Sequence, residues 1–84
     1  MKITFKLFAA LQDYLPAAAR ARNALELELP EGTTIGQVIE RFGLPQASCK
    51  LVLVDGLFVP PAERGTRTLK DGETLAIWPP IAGG

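Results

Sequence analysis

Turn-forming pairs cut this chain into short pieces. Pro30-Glu31-Gly32, Asp55-Gly56, Pro60-Pro61, Asp71-Gly72 and Pro79-Pro80 recur along 84 residues. Proline cannot donate to a strand ladder, and Asp-Gly is a favoured two-residue hairpin turn. What lies between these breaks must therefore be short strands, or one modest helix, joined by tight turns.

The intervening segments carry clear periodicities. In residues 2–8, Ile3, Phe5 and Leu7 alternate with Lys2, Thr4, Lys6 and Phe8, the pattern of a half-buried strand. Residues 9–23 are Ala-rich with Pro16 in the middle, and read as a short helical turn followed by a loop. Residues 24–29 alternate again, with Leu25, Leu27 and Leu29 facing inward and Glu26 and Glu28 outward. A helix follows. Thr34 and Gln37 have capping-box spacing, Ile35, Val38, Ile39 and Phe42 form one apolar stripe, and Gly43 with Pro45 ends it. Leu51 to Val54 is a continuous apolar run, expected to be a strand buried on both faces. Asp55-Gly56 turns it back into Leu57-Phe58-Val59, and residues 60–70 read as loop. Thr74 to Trp78 is the last strand, with Leu75 and Ile77 on one face and Thr74, Ala76 and Trp78 on the other.

Five short strands and one good helix predict a two-layer α+β domain, a mixed sheet packed on one main helix. The expected division is a folded domain over residues 1–78 and a flexible C-terminal tail over 79–84. With 48% hydrophobic residues, one modest core is possible without disulfides. The single cysteine, Cys49, cannot form an internal disulfide, and without histidine no common zinc pattern exists, so no metal site is expected. A reducing, cytoplasmic setting fits this usage. No apolar stretch approaches the length of a membrane span, and the N-terminal alternation is unlike a signal peptide. Nine basic and nine acidic residues balance to zero, with only Arg20 and Arg22 close together. That distribution argues against nucleic acid, which demands a concentrated basic face.

The stretch from Leu69 to Gly84 adds an Asp-Gly turn, an apolar strand ending in an aromatic, a Pro-Pro pair, a small linker and a terminal Gly-Gly. With the element order, it resembles the MoaD/ThiS family of ubiquitin-like (β-grasp) sulfur carriers, and most of all the MoaD branch, the small subunits of molybdopterin synthase. One departure is the Asp55-Gly56 hairpin, where an Asn-containing turn is expected in that branch.

The resemblance implies a chemistry. An ATP-using adenylyltransferase of the MoeB/ThiF type would activate the carboxylate of Gly84. A sulfur donor would convert the acyl-adenylate to a thiocarboxylate. A MoaE-type large subunit would then use that sulfur to build molybdopterin. On this reading the chain binds no cofactor and is no enzyme on its own. Relatives in the thiamine branch deliver sulfur to thiazole, and ubiquitin-like modifiers form isopeptide bonds through the same terminus. The physical requirements agree. Adenylation supplies the leaving group that a carboxylate lacks, and glycine enters a narrow tunnel without a side chain. Extended at ~3.4 Å per residue, Pro79, Pro80, Ile81, Ala82, Gly83 and Gly84 reach roughly 20 Å.

Phe8 and Trp78 both lie opposite the expected core residues of their strands. In a sheet whose first and last strands are parallel neighbours they share an outer face, so they are candidate partner-binding residues, with Phe58 as a third. Cys49 reads as a packing residue, since no histidine is present to activate it. Arg20, Arg22, Arg64 and Arg67 read as solvated charges.

Overall fold

A computed structural model of the protein describes residues 1–80. Ile81, Ala82, Gly83 and Gly84 lie outside the described residues. The elements are β1 (Lys2–Leu7), a 3₁₀ turn at Ala9–Tyr14, α1 (Ala17–Arg20), β2 (Ala24–Glu28), α2 (Ile35–Arg41), a 3₁₀ turn at Gln46–Ser48, β3 (Leu51–Val54), β4 (Leu57–Phe58), a 3₁₀ turn at Pro61–Glu63 and β5 (Thr74–Trp78). The strands form one sheet in the order β2-β1-β5-β3-β4. β1 and β5 run parallel, and every other pair is antiparallel. This is the mixed sheet that the periodicities predict, in the β-grasp arrangement that the resemblance implies.

One face of the sheet makes the core. Ile3, Phe5 and Leu7 of β1, Leu75 and Ile77 of β5, and Val52 and Val54 of β3 pack with Ile35 and Val38 of α2. Each such side chain contributes about 1.5–3 kcal/mol by leaving water. The helix begins as predicted. Thr34 Oγ1 accepts from the Gln37 amide at 3.2 Å, and Gln37 Oε1 accepts from the Thr34 amide at 2.9 Å. It ends where Gly43 takes a φ of +69°, a conformation that a side chain would strain. The Asp55-Gly56 turn has φ of +50° and +84°, both left-handed, as a two-residue hairpin requires.

Four expectations need correction. The Ala-rich stretch is not a turn and a loop: Pro16 stands immediately before a one-turn helix, α1, where its missing N–H costs nothing. β3 is not buried on both faces. Val52 and Val54 are core residues, whereas Leu51 is exposed and Leu53 half-buried, because only one face of the sheet is covered by α2. The returning strand pairs over Leu57–Phe58 alone, although the Val59 amide still donates to the Val52 carbonyl at 2.8 Å. Finally, Arg64 is not solvated but 9% exposed.

Arg64 replaces missing backbone. β4 stops after two residues ahead of Pro60-Pro61, which would leave the chain just before β3 without a backbone partner on the β4 side. The Arg64 guanidinium fills this gap. Nε donates to the Val59 carbonyl at 3.0 Å, Nη1 to the Cys49 carbonyl at 2.7 Å and Nη2 to the Lys50 carbonyl at 3.4 Å. Its own carbonyl accepts from the Gly36 amide at 2.7 Å, which ties the first turn of α2 to the same loop. A Cβ at Gly36 would sit 3.3 Å from that carbonyl oxygen, so the close approach favours glycine. Burial pulls the guanidinium below its usual pKa and pushes the neighbouring Cys49 thiol up. Cys49 is thus a buried, protonated packing residue.

Arg64→Met keeps the aliphatic stem and removes all three donors. It should cost roughly 2–4 kcal/mol in urea denaturation, because buried carbonyls are left unpaired. Arg64→Lys should recover only part of this, since one ammonium cannot match the fork. A loss below about 1 kcal/mol for Arg64→Met would show that the clamp contributes little.

Candidate interaction face and tail exit

β5 is the central strand, and its end is held from both sides. The Phe8 amide donates to the Ile77 carbonyl at 3.2 Å, and the Lys50 amide donates to the Trp78 carbonyl at 3.0 Å. The strand is therefore fixed through its last residue. Pro79 is half-buried and Pro80 exposed, so burial falls away at the end of the described chain. The pyrrolidine rings lock φ at both positions. Pro79 also borders a shallow groove lined by Ala10, Leu11, Asp13, Tyr14 and Ser48.

The register places the predicted aromatics. Leu7 pairs with Ile77, which brings Phe8 and Trp78 together on the face opposite α2. Their rings stack with centroids 4.1 Å apart and planes 4° from parallel. Both are half-buried rather than fully exposed, because each covers one face of the other. Immediately after Phe8, Ala9 adopts a φ of +53°. Left-handed backbone at a residue with a Cβ costs about 1–2 kcal/mol. It turns the chain sharply out of β1 beside the stack.

Phe58 pairs with Leu53, and Leu53 with Ala76, so Phe58 belongs to the same outer face two strands from the tail. It is 53% exposed, with the Arg64 guanidinium 6.0 Å from its ring centre. Between Phe58 and Trp78 lie Leu51, paired with Trp78, and Leu53. The continuous apolar run had hidden these two leucines. The register fixed by the Asp55-Gly56 turn, with Val52 and Val54 assigned inward, is the signal that would have found them. The face thus joins Phe8, Trp78, Leu51, Leu53 and Phe58 on the β5-β3-β4 side. Toward β2 it becomes charged, with Lys2 and Glu26 3.8 Å apart and well exposed, a pair worth little. Among the described residues no group of His, Cys, Asp or Glu could hold a metal, and no helix is long and apolar enough to cross a membrane.

The profile of the Mut7-C ubiquitin family matches residues 1–82, and the chain belongs to this family. It is ubiquitin-like, in agreement with the MoaD/ThiS resemblance. Among curated proteins nothing matches the chain. Solved structures share the fold. SAMP1 from Haloferax volcanii is 17% identical over all of both chains, with a TM-score of 0.69. A Pyrococcus furiosus protein described as a candidate molybdopterin converting factor, subunit 1, is 23% identical over 96% of this chain and 99% of its own, with a TM-score of 0.65. The Haloferax volcanii HVO 2177 protein is 22% identical over all of this chain and 87% of its own, with a TM-score of 0.73. At these identities the likeness establishes the fold alone.

If the stack holds β1 to the tail exit, Phe8 and Trp78 should be energetically coupled. A double-mutant cycle of Phe8→Ala and Trp78→Ala, read by chemical denaturation, should give about 0.5–1.5 kcal/mol of interaction. Simple additivity of the two losses would mean that the contact is incidental.

Proposed function

We propose that this member of the Mut7-C ubiquitin family is a sulfur carrier whose reactive atom is built at the carboxylate of Gly84. The observation that carries the reading is the tail exit: a central strand clamped through Trp78, two prolines, and then Ile81-Ala82-Gly83-Gly84 in the sequence. Residues 1–78 act as the handle and 79–84 as the reaching arm. The chain holds no histidine, and its one thiol is buried with a raised pKa. It therefore supplies a substrate group, and a partner supplies the catalysis.

The chemistry proceeds in two displacements. The Gly84 carboxylate attacks the α-phosphate of ATP in an adenylyltransferase of the MoeB/ThiF type, releasing pyrophosphate and forming the acyl-adenylate. A sulfur donor of that system then displaces AMP, leaving the thiocarboxylate. Exclusion of water from the closed site protects the adenylate from hydrolysis. In the molybdopterin branch, a MoaE-type large subunit accepts the sulfur into a pterin precursor. The Pyrococcus furiosus protein, a candidate molybdopterin converting factor subunit whose fold this chain shares over nearly its full length, supports that branch over the thiazole branch. A reducing, cytoplasmic compartment suits both the thiocarboxylate and the free thiol.

Both partners are proposed to dock on the face carrying Phe8, Trp78 and Phe58. This face surrounds the tail exit, and it is the side of the sheet that α2 leaves open. Half-buried aromatics flanked by exposed Leu51 offer the apolar centre that interface hot spots need.

Intact mass tests the chemistry. Incubation with the adenylyltransferase, ATP and a sulfur donor should replace one oxygen by one sulfur, at Gly84 only, and only when ATP is present. Addition of the large subunit and precursor should return the mass to its starting value. Transfer to a thiazole precursor would move the chain to the thiamine branch. Conjugates between Gly84 and lysines, with no thiocarboxylate, would make it a protein modifier. An added residue after Gly84 that survives uncut yet leaves adenylation intact would overturn the carrier reading.

Binding tests the face. Trp78→Lys should weaken association with the adenylyltransferase or large subunit by roughly 2 kcal/mol or more. Phe58→Lys should preserve stability, since the ring is exposed, while reducing affinity. Unchanged affinity in both folded variants would place the partners elsewhere.

A further inference from the structure

The two edges of the sheet are treated differently. At the β4 edge the strand is two residues long, Pro60-Pro61 follows, and the Arg64 side chain occupies the adjacent carbonyls. Short edge strands and prolines are standard ways of blunting a sheet edge. At the other edge, β2 runs for five residues, Ala24–Glu28, without proline.

The register shows which backbone groups β2 presents outward. The Leu29 amide donates to the Met1 carbonyl at 2.8 Å, and the Leu7 amide to the Asn23 carbonyl at 3.1 Å. Pairing alternates along an antiparallel ladder, so the odd-numbered residues of β2 bond to β1 and the even-numbered ones face away. Ala24 is partly occupied, its carbonyl accepting from Arg22 Nε at 3.3 Å. For Glu26 and Glu28, no described residue outside β1 pairs with the backbone. Their N–H and C=O groups form an open row.

Side chains specify what could fill that row. Glu26 and Glu28 stand on the outer face, Glu26 opposite Thr4 and Glu28 opposite Lys2. On the inner face Leu25 is only half-buried against the core. A second copy pairing antiparallel along β2 would set these glutamates against each other, and like charges directly opposite are destabilising. A segment carrying Lys or Arg on one face would continue the Lys–Glu alternation seen between β1 and β2, and its intervening apolar residues would cover Leu25.

We propose that the free edge of β2 is a strand-addition site for an extended protein segment in which basic and apolar residues alternate. Main-chain bonds to Glu26 and Glu28 give the affinity, and the two carboxylates select the basic face while discouraging self-pairing. The site lies across β1, β5 and β3 from Phe58, so a partner bound here leaves the β3-β4 side of the outer face open. It does not depend on the sulfur-carrier reading.

The test uses the ¹⁵N-labelled full chain and a blocked peptide, Lys-Val-Lys-Val-Lys. Amide signals of Glu26 and Glu28 should shift and exchange more slowly with solvent as peptide is added. A Glu-Val-Glu-Val-Glu peptide should bind at least about tenfold more weakly, given two reversed cross-strand charge pairs. The double variant Glu26→Lys/Glu28→Lys should reverse that order. Glu26→Pro should abolish binding while retaining the core spectrum, since its N–H points away from β1. Equal binding of both peptides, shifts confined to the Trp78–Phe58 face, or self-association of the native chain through β2 would each overturn the proposal.

Discussion

Parallel pairing between the first strand and the last is the contact on which the rest of this structure depends. β1 and β5 are separated by almost the whole sequence, yet they lie side by side at the centre of the sheet. Closing so long a loop is entropically costly and is repaid only when apolar residues from both strands share one core. Ile3, Phe5 and Leu7 meet Leu75 and Ile77 there, all fully buried. The same registration stacks Phe8 on Trp78 and brings the end of the described chain out beside the beginning of the sheet. One pairing therefore completes the core, builds the aromatic contact and fixes where β5 ends.

The sheet divides its work between faces. The covered face holds α2 and supplies stability through packing. The open face is apolar around β5, β3 and β4 and charged toward β1 and β2, where Lys2 stands opposite Glu28. Side chains on the open face can therefore vary without touching the core. The aromatic surface is concentrated at the end of β5, where Phe8 stacks on Trp78.

Arg64 marks a second economy. Edge strands are blunted by several devices, among them short length, proline and charged side chains. Here a guanidinium is buried against three carbonyls and serves as a surrogate strand. Its planar fork suits this role, and the donation to neutral carbonyls leaves β3 capped without a further segment of chain. The loop that carries it also contacts Gly36, so the sheet edge and the start of α2 are held by one residue and its backbone.

Much of this was legible from local pattern. Period-two alternation located β1, β2 and β5, the Thr34–Gln37 spacing located the start of α2, and Asp55-Gly56 located the hairpin. Strand parity also put Phe8 and Trp78 on the face opposite the core, since side-chain direction in a strand follows from sequence position alone. Other features were not local. An unbroken run such as Leu51–Val54 carries no alternation, so only its neighbours β5 and β4 reveal which side faces water. Arg64 has no sequence signature, because its carbonyl partners at Cys49, Lys50 and Val59 converge only after β3 and β4 have paired. By itself the sequence determined the elements, their inward faces and the composition of the tail, all of which depend on residues a few positions apart. The tertiary structure alone decided which strands became edges, which arginine was buried and which leucines joined the aromatic face, because those outcomes depend on contacts between residues distant in the chain.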